Sequence, residues 1–423
     1  MKYKIIPSLM VLLLSLSTAV HAEPFSKDDV LAEALKQNPR INAALARIQG
    51  AEGTRLQAGL IPNPKAAMEI EEFAGDGPRD GFDGAEGQIR FEQEIEIAGK
   101  RQKRKTVADY QARIVRESAL AQSLRILAET DAAFMNLAIA QERLKLAEKR
   151  LVLANKTHKT VKERVSAAAA SDIQHTKADI ELSAAELEKR RAQKTLAEAR
   201  TALDALMAGQ RVERIQTDLD TLPALPAKTA LLEAAEKAPQ ARAAAFMATK
   251  AENTLALEQA RAVPNPSFEL GVQYFNGDDS TALVAGVSFP LPVFNRNQGN
   301  IDKALAGVNE ARSNARQQTI MLRKQAIEIW EKMAAAYEET QQYQNKIIPS
   351  AQRAYTQASK GYSAGRYSFL DLLDAQRTLF KVREARLDGL LDYHEARAQS
   401  DFLMGVHTQK IENKLTKYQG DIK

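Results

Sequence analysis

The two halves of the amino-acid sequence share the same motifs in the same order, and this internal duplication constrains the fold more than any other feature. Residues 61–64 read Ile-Pro-Asn-Pro and residues 263–266 read Val-Pro-Asn-Pro, each after a helical stretch and before an alternating one. Further along, Ser171 pairs with Ser368 at an offset of 197 residues, which holds without a gap for about eighty residues. Such a period is too long for a solenoid repeat. The sequence therefore indicates duplication of a whole structural unit.

Each unit has the pattern of a helix, two strands and two long helices joined by a turn. In the first unit, helical periodicity covers 27–57 and resumes after the strands as far as about residue 207. The second unit begins near residue 229, because Pro223 and Pro226 break the helical pattern before it. The strands are predicted at 66–73, 88–97, 267–275 and 281–291.

The first 22 residues have the composition of a secretory signal peptide. A basic start precedes an apolar run over 5–20, and Val20 and Ala22 are small residues at the −3 and −1 positions of a cut after Ala22. The predicted organisation is a signal peptide at 1–22, a first repeat at 23–209, a connector at 210–228, a second repeat at 229–405 and a C-terminal tail at 406–423.

Composition excludes several classes of protein. After the signal peptide no stretch approaches twenty consecutive apolar residues, so the mature chain would need strands rather than a helix to cross a membrane. The chain has no Cys, which excludes disulfides, thiolate metal sites and an N-terminal lipid anchor on Cys. The 59 basic and 54 acidic side chains nearly balance, which leaves a net charge of +5. Such a balance is typical of solvated helices. We expect no nucleic-acid partner and no cofactor.

The long helices carry the heptad spacing of coiled coils. Apolar residues recur by seven in the first unit at Leu120, Leu127 and Phe134. The same spacing recurs in the second unit, at Leu373, Phe380 and Leu387. About 60 helical residues would make a rod of roughly 90 Å, which is far longer than an ordinary globular domain.

The predicted strands alternate between apolar and polar residues. Ile89 and Phe91 point one way, whereas Arg90 and Glu92 point the other. Such a sheet could be half-buried in a soluble protein, but its strand lengths also fit a tilted bilayer crossing with apolar side chains toward lipid. Four strands cannot close, and three chains would supply twelve. Acidic residues expected to face a watery lumen are Glu92, Glu94, Glu96 and Glu269.

The duplicated unit of a strand pair and a helical hairpin resembles the TolC superfamily of outer-membrane efflux channels. The stretches 94–101 (Glu-Ile-Glu-Ile-Ala-Gly-Lys-Arg) and 291–301 are similar to the CzcC-like branch found with cobalt-zinc-cadmium pumps, and 370–376 supports the superfamily. The resemblance implies a mainly α fold with a small β part. It implies a homotrimer whose twelve-stranded barrel lies in outer-membrane lipid and whose coiled-coil helices form a barrel through the periplasm.

The same resemblance implies partners and a cargo. It implies docking onto a periplasmic adaptor, also called a membrane fusion protein, and an inner-membrane RND-type pump driven by the proton gradient. The expected cargo is divalent zinc, cobalt or cadmium. Export of drugs or polypeptides through the same kind of channel stays open, as does a soluble periplasmic coiled-coil adaptor, although an adaptor usually has one helical hairpin.

Two candidate sites lie at the predicted periplasmic tip. By resemblance, Asp371 and Asp374 match the acidic pair that rings the tip aperture in TolC, where carboxylates in a narrow mouth would attract cations. Ser368 and Asp371 also have the spacing of a capping box, in which Asp371 only caps a helix. The candidate residues for contact with an adaptor are Gly365, Arg366, Tyr367 and Ser171.

No catalytic or metal site is expected. His158 and His175 lie on either side of the first tip turn, and we interpret them as separate histidines because neither has a ligand at close sequence spacing. His394 and His407 are isolated in the same way. Nucleotide-binding, zinc-protease and Ser-His-Asp motifs are absent from the sequence, so we expect no enzymatic activity.

Overall fold

The computed structural model describes residues 24–212 and 214–420. The predicted signal peptide, 1–22, lies outside the described residues. The prediction of a mainly helical chain with a small β part is confirmed. The helices are α1 Lys27–Gln37, α2 Pro39–Ala58, α3 Lys100–Ser166, α4 Asp172–Leu206, α5 Lys228–Glu236, α6 Pro239–Arg261, α7 Gln298–Gln342, α8 Ile348–Ser363, α9 Phe369–Met404 and α10 Thr408–Gly420. The strands are β1 Lys65–Glu71, β2 Glu86–Glu94, β3 Ser267–Phe275 and β4 Ser280–Ser288.

The order of elements occurs twice along the chain. Two helices, two strands and a long helical hairpin form the first half, and the second half has the same order. In the first half α3 is one helix of 67 residues, about 100 Å long at 1.5 Å per residue. In the second half a π-helical turn, Tyr343–Ile347, joins α7 to α8 just before Pro349. Because proline cannot donate a helical hydrogen bond, the wider turn accommodates it.

The long helices pack along one another over most of their length. α3 contacts α2, α4, α6 and α9, and α7 contacts α6 and α9. The predicted heptad residues lie in these contacts, where Leu127, Phe134 and Phe380 are almost fully buried. None of the helices in the described residues combines the length and the hydropathy that a membrane-spanning helix requires.

The strands form one antiparallel sheet in the order β1-β2-β3-β4. Met68, Ile89, Val272 and Leu283 face one another in a row across all four strands. Every residue of this row is exposed, Leu283 to 82%. The predicted alternation is therefore present in the structure, and the apolar face of the sheet is not covered by another part of the described chain.

The end of β2 differs from its prediction. The alternation predicts a strand to residue 97, but β2 ends at Glu94. Ala98 and Gly99 have φ values of 58° and 69°, which turn the backbone out of the strand and into α3. Glu96 was predicted as a strand residue facing a lumen, and this prediction is wrong in one respect, because Glu96 lies beyond the strand and pairs with Arg104.

A polar cluster joins the sheet to the rods and explains the Pro-Asn-Pro motif of the second half. The Asn265 amide donates to Glu94 Oε1 at 2.5 Å, and its oxygen accepts from the backbone N–H of Ile97 at 3.3 Å. Lys100, at the start of α3, donates to the same Asn265 oxygen and to the carbonyl of Val263. One half-buried amide therefore ties the end of β2, the start of α3 and the segment before β3 together.

Arg104 forms a second junction, one turn further along α3 from Lys100. Its guanidinium donates to the carbonyl of Ala58 at 2.8 Å and to that of Leu60 at 2.9 Å, where α2 ends. It also pairs with Glu96, whose side chain is 11% exposed. Arg101 and Arg104 thus donate to backbone carbonyls at the end of α2 that would otherwise lack hydrogen-bond partners.

The connector between the halves lies against the helices instead of forming a free loop. Tyr393 of α9 donates its hydroxyl to the carbonyl of Pro223, and Arg397 donates to the carbonyl of Ala224 at 3.0 Å. Trp330 Nε1 of α7 donates to the carbonyl of Pro226 at 3.0 Å. Backbone carbonyls of the connector thus take the polar hydrogens of otherwise buried aromatic side chains.

The segment 406–423, set apart as a tail in the sequence, contains the helix α10. Its residues Ile411 and Leu415 are buried in the same core cluster as Leu31 of α1. Lys414 donates to the carbonyl of Lys36 at 3.3 Å, at the last turn of α1. The alternation and heptad patterns carried no signal for this helix, which packs by a short amphipathic face.

We predict that Asn265→Ala weakens the joint between sheet and rods. The substitution leaves Lys100, which is 7% exposed, with one protein acceptor fewer, so it should destabilise the protein by roughly 2 kcal/mol. The measurement is the thermal unfolding midpoint of the purified protein, followed by circular dichroism. Asn63→Ala is the matched control, because Asn63 holds the equivalent motif position and is exposed. Equal midpoints for the two variants would contradict this role of Asn265.

Candidate functional site: hairpin tips and strand face

The two helical hairpins meet in a small apolar core near their turns. Val161 of α3 and Ala178 of α4 pack against Tyr362, Phe369 and Leu372 of the second hairpin. The rings of Tyr362 and Phe369 lie 5.7 Å apart. The predicted tip turns of the two halves therefore form one structure, which we call the tip.

A single arginine holds the first hairpin to the turn of the second. Arg164 of α3 donates to the carbonyl of Tyr362 at 2.9 Å, and its guanidinium lies 4.7 Å from the centroid of the Tyr362 ring. Such a cation–π contact adds to the hydrogen bond. Burial raises the pKa of the Tyr362 hydroxyl, with the charge of Arg164 opposing this effect. The hydroxyl therefore stays protonated at neutral pH.

The turn of the second hairpin presents the predicted contact residues to solvent. Gly365 has φ +73°, a conformation that favours glycine. The Tyr367 ring covers Gly361 so closely that a Cβ there would collide with it. Tyr367 nevertheless stays 53% exposed, and Arg366 and Ser171 are exposed as well. The structure thus brings the four predicted adaptor-contact residues to one end of the molecule.

Asp371 forms the capping box that its spacing predicts. Its carboxylate accepts from the Ser368 backbone N–H at 2.9 Å and from the Ser368 hydroxyl at 2.7 Å. The Ser368 hydroxyl in turn accepts from the Asp371 N–H at 3.1 Å. These hydrogen bonds lower the pKa of Asp371. Asp374, one turn further along α9, is exposed and takes no part in the cap.

A buried carboxylate links three of the tip-proximal helices. Glu181 of α4 is 8% exposed and accepts from Arg377 Nε of α9 at 2.8 Å. Arg150 of α3 lies 3.9 Å from the other oxygen of Glu181 and pairs also with Glu188. Sequence reasoning missed Glu181, because its two basic partners, Arg150 and Arg377, lie on other helices and far from it in the sequence.

The predicted strand acids divide into two groups. Glu92 and Glu269 are cross-strand partners on the polar face, and Lys65 lies 3.5 Å from Glu92 at the neighbouring position. Glu94 and Glu96 instead belong to the junctions with Asn265 and Arg104 described above. Of the four predicted acids, Glu92 and Glu269 therefore lie within the strands and take no part in the junctions between sheet and helices.

The structure brings His158 and His175 together, which corrects their interpretation as separate histidines. Their ring centroids are 5.2 Å apart, and Asp179 lies beside both. A signal for this cluster was present in the sequence. Residues 158 and 179 are nearly equidistant from the middle of the turn between α3 and α4, and 175 and 179 are one helical turn apart.

A sheet with an exposed apolar face, joined to two long helical hairpins, is not the architecture of a compact globular domain, which would cover that face. The model of the outer membrane efflux protein family matches residues 30–209 and, a second time, residues 230–406. The chain belongs to this family. The predicted efflux role and outer-membrane location are confirmed.

Similar proteins define the branch of the family. The chain is 30% identical to the cobalt-zinc-cadmium resistance protein CzcC of Cupriavidus metallidurans over 386 residues, 91% of each chain. It is 27% identical to the nickel-cobalt-cadmium resistance protein NccC of Alcaligenes xylosoxydans xylosoxydans over 337 residues, 77% of this chain and 74% of that one. The predicted resemblance to the CzcC-like branch of the TolC superfamily is confirmed.

Solved structures show the same fold. The CmeC outer membrane channel of Campylobacter jejuni superposes with a TM-score of 0.76 at 18% identity, covering 93% of this chain and 89% of CmeC. The predicted TolC-like fold is therefore confirmed.

We predict that Asp371→Ala lowers the thermal unfolding midpoint at pH 7, whereas Asp374→Ala leaves it unchanged. The two aspartates are exposed and one turn apart, but only Asp371 accepts the capping hydrogen bonds. Because the pKa of Asp371 is lowered in the folded state, its contribution is present above its ordinary value of 3.8 and is lost as the pH falls through the folded pKa.

Unfolding of the parent and both variants should therefore be compared at pH 7 and again near the acid limit of folding. The difference between parent and Asp371→Ala should shrink at acid pH. A midpoint for Asp371→Ala equal to that of the parent at pH 7 would remove the capping role.

Proposed function

We propose that three copies of this chain form an outer-membrane channel that exports divalent heavy-metal cations. The observation that carries the proposal is the 30% identity to a cobalt-zinc-cadmium resistance protein across 91% of both chains. The channel receives its cargo through a periplasmic adaptor and an inner-membrane pump of the RND type. The chain itself supplies the conduit, and its buried polar groups serve structure at the junctions and the tip.

The hydrogen bonds of the sheet support assembly of several copies into one barrel. Within the described residues, β1 and β4 each pair on one side only, which leaves two rows of backbone N–H and C=O groups open. Hydrocarbon does not tolerate such edges, because each unpaired group costs several kcal/mol there. Joining β4 of one copy to β1 of the next closes twelve strands around three chains. The apolar row from Met68 to Leu283 then faces lipid.

We predict that protein extracted from outer membranes with mild detergent contains three chains per particle. The exposed apolar face and the open edges require neighbours, so the trimer should persist without cross-linker. Light scattering with detergent correction measures the mass, and cysteines introduced at Lys65 and Ser288 should form disulfides between chains in the absence of other Cys. A monodisperse, water-soluble monomer would overturn the channel proposal.

Lumen electrostatics support cations over anions. Glu92 and Glu269 face the polar side of the sheet, with Lys65 partly neutralising Glu92. In a trimer this arrangement occurs three times around one lumen. A ring of carboxylates with low-dielectric walls raises the local concentration of cations. The strand lumen therefore favours passage of divalent cations after the pump has selected them.

The periplasmic aperture is proposed at Asp371 and Asp374. Asp374 is the stronger of the two, because its carboxylate is exposed and not committed to the cap. The exposed turn beside it, with Gly365, Arg366 and Tyr367, supplies the surface for the adaptor. Ser171 extends that surface to the first hairpin.

We predict that Asp374→Asn weakens block of the channel by trivalent cations added on the tip side. Single-channel conductance in planar bilayers gives the measurement, for the parent, Asp374→Asn and the double variant with Asp371→Asn. Asp172→Asn, at the start of α4, controls for loss of an exposed aspartate near a tip turn. Unchanged block in the double variant would remove both residues from the aperture.

We predict that deletion of the gene sensitises cells to zinc, cobalt or cadmium more than to organic drugs and dyes. The comparison uses the deletion strain and a strain complemented with the parent gene, each grown across graded doses of metal, drug or dye. Metal content of the cells should rise in the deletion strain. Greater sensitivity to hydrophobic drugs alone would assign the channel to drug export and leave its fold and location unaffected.

A further inference from the structure

Three metal-ligating side chains converge between the helices of the first hairpin. His158 Nε2 of α3 lies 2.6 Å from Asp179 Oδ1 of α4, and His175 Nδ1 lies 3.4 Å from Asp179 Oδ2. One potential ligand atom from each residue lies within 4.8 Å of the other two. In addition, His175 Nε2 is buried and has no hydrogen-bond partner. At least one imidazole nitrogen of the cluster therefore makes no hydrogen bond within the described residues.

The equivalent position in the second hairpin shows which residues can fill this space without a cluster of histidine and aspartate. At the offset of 197 residues, the counterparts of His158, His175 and Asp179 are Tyr355, Leu372 and Gln376. Leu372 and Gln376 are 5% and 4% exposed. The second hairpin therefore closes the same position with buried side chains that cannot form a comparable metal site. The cluster in the first hairpin is an addition to the shared fold, and helix packing does not explain it.

We propose that His158, His175 and Asp179 form a binding site for a divalent transition-metal cation, with Zn²⁺ or Co²⁺ as the fitting ions. Two imidazole nitrogens and one carboxylate oxygen are a donor set that these ions accept, at bond lengths of about 2.0–2.2 Å for Zn²⁺. Such bonds place ligand atoms roughly 3–4 Å apart, so small side-chain rotations suffice. Water occupies the remaining positions, because Asp179 is half exposed.

Binding replaces a hydrogen bond with bonds to a metal ion. In the metal-free form His158 Nε2 lies at hydrogen-bond distance from Asp179, and coordination requires this nitrogen as a lone-pair donor. The ring hydrogen of the neutral imidazole is then carried by Nδ1. The ion then bridges α3 and α4 close to their turn. It stiffens the first hairpin in the region that packs, through Val161 and Ala178, against the second. This site stands on its own geometry and does not depend on the identity of the exported cargo.

The test uses the detergent-extracted full chain without a polyhistidine tag, after treatment with chelator. Zn²⁺ titration by calorimetry should give one ion per chain, and Zn²⁺ should raise the thermal unfolding midpoint by mass action. Co²⁺ should show the visible absorption of a site with nitrogen and oxygen ligands. His158→Gln, His175→Gln and Asp179→Asn should each weaken Zn²⁺ affinity by at least about tenfold, since even loss of an outer-shell partner has that effect.

Asp172→Asn is the matched control, because it removes one exposed carboxylate from the same helix and should leave affinity unchanged. Equal unfolding midpoints without metal would show that the variants fold. A second measurement needs no variant. Zn²⁺ should protect His158 and His175 of the parent from diethyl pyrocarbonate, as mapped by peptide mass spectrometry. Stoichiometric binding that survives all three substitutions, no binding at all, or no protection of the two histidines would overturn the site.

Discussion

The open edges and exposed apolar face of the four-stranded sheet are the constraint on which the rest of the structure depends. Apolar residues on one face can be stable in lipid, but unpaired backbone groups cannot, so in the proposed trimer each sheet pairs with the sheets of two neighbouring chains. That pairing requires each chain to hold its strands at a fixed angle and height. The duplicated rods meet this need, because coiled-coil packing over about 100 Å allows little freedom at their ends.

The junction between strands and helices must therefore hold the sheet in a fixed orientation relative to the rods. Asn265, Lys100 and Arg104 form the polar contacts there, and each donates to a backbone carbonyl or a carboxylate near the end of an element. Directional hydrogen bonds hold a joint in place without needing a buried core. Asn265 of the second Pro-Asn-Pro motif therefore has a structural role at this joint.

Sequence patterns were sufficient wherever one period governs the structure. The alternation at Ile89 and Phe91 and the heptads through Phe134 predicted both the sheet and the rods. The patterns failed where a single backbone angle or a distant partner decides, as at Ala98, whose positive φ ends β2 early. They also missed α10, whose short apolar face is buried in a cluster with residues of α1 and α3. For Asp371 the spacing predicted the cap, whereas an aperture depends on the symmetry of three chains and leaves no periodic trace.

The two hairpins show how one duplicated unit acquires two different tips. In the second hairpin, Leu372 and Gln376 are buried, and the acidic residues are displaced to the exposed start of α9. In the first hairpin, imidazole and carboxylate groups occupy the equivalent positions, and their contacts are polar. Leu372 and Gln376 offer a transition-metal ion no strong ligand, whereas two imidazoles and a carboxylate do. At the proposed site, metal binding would therefore stabilise the first hairpin, and the equivalent position of the second hairpin lacks the ligands for the same effect.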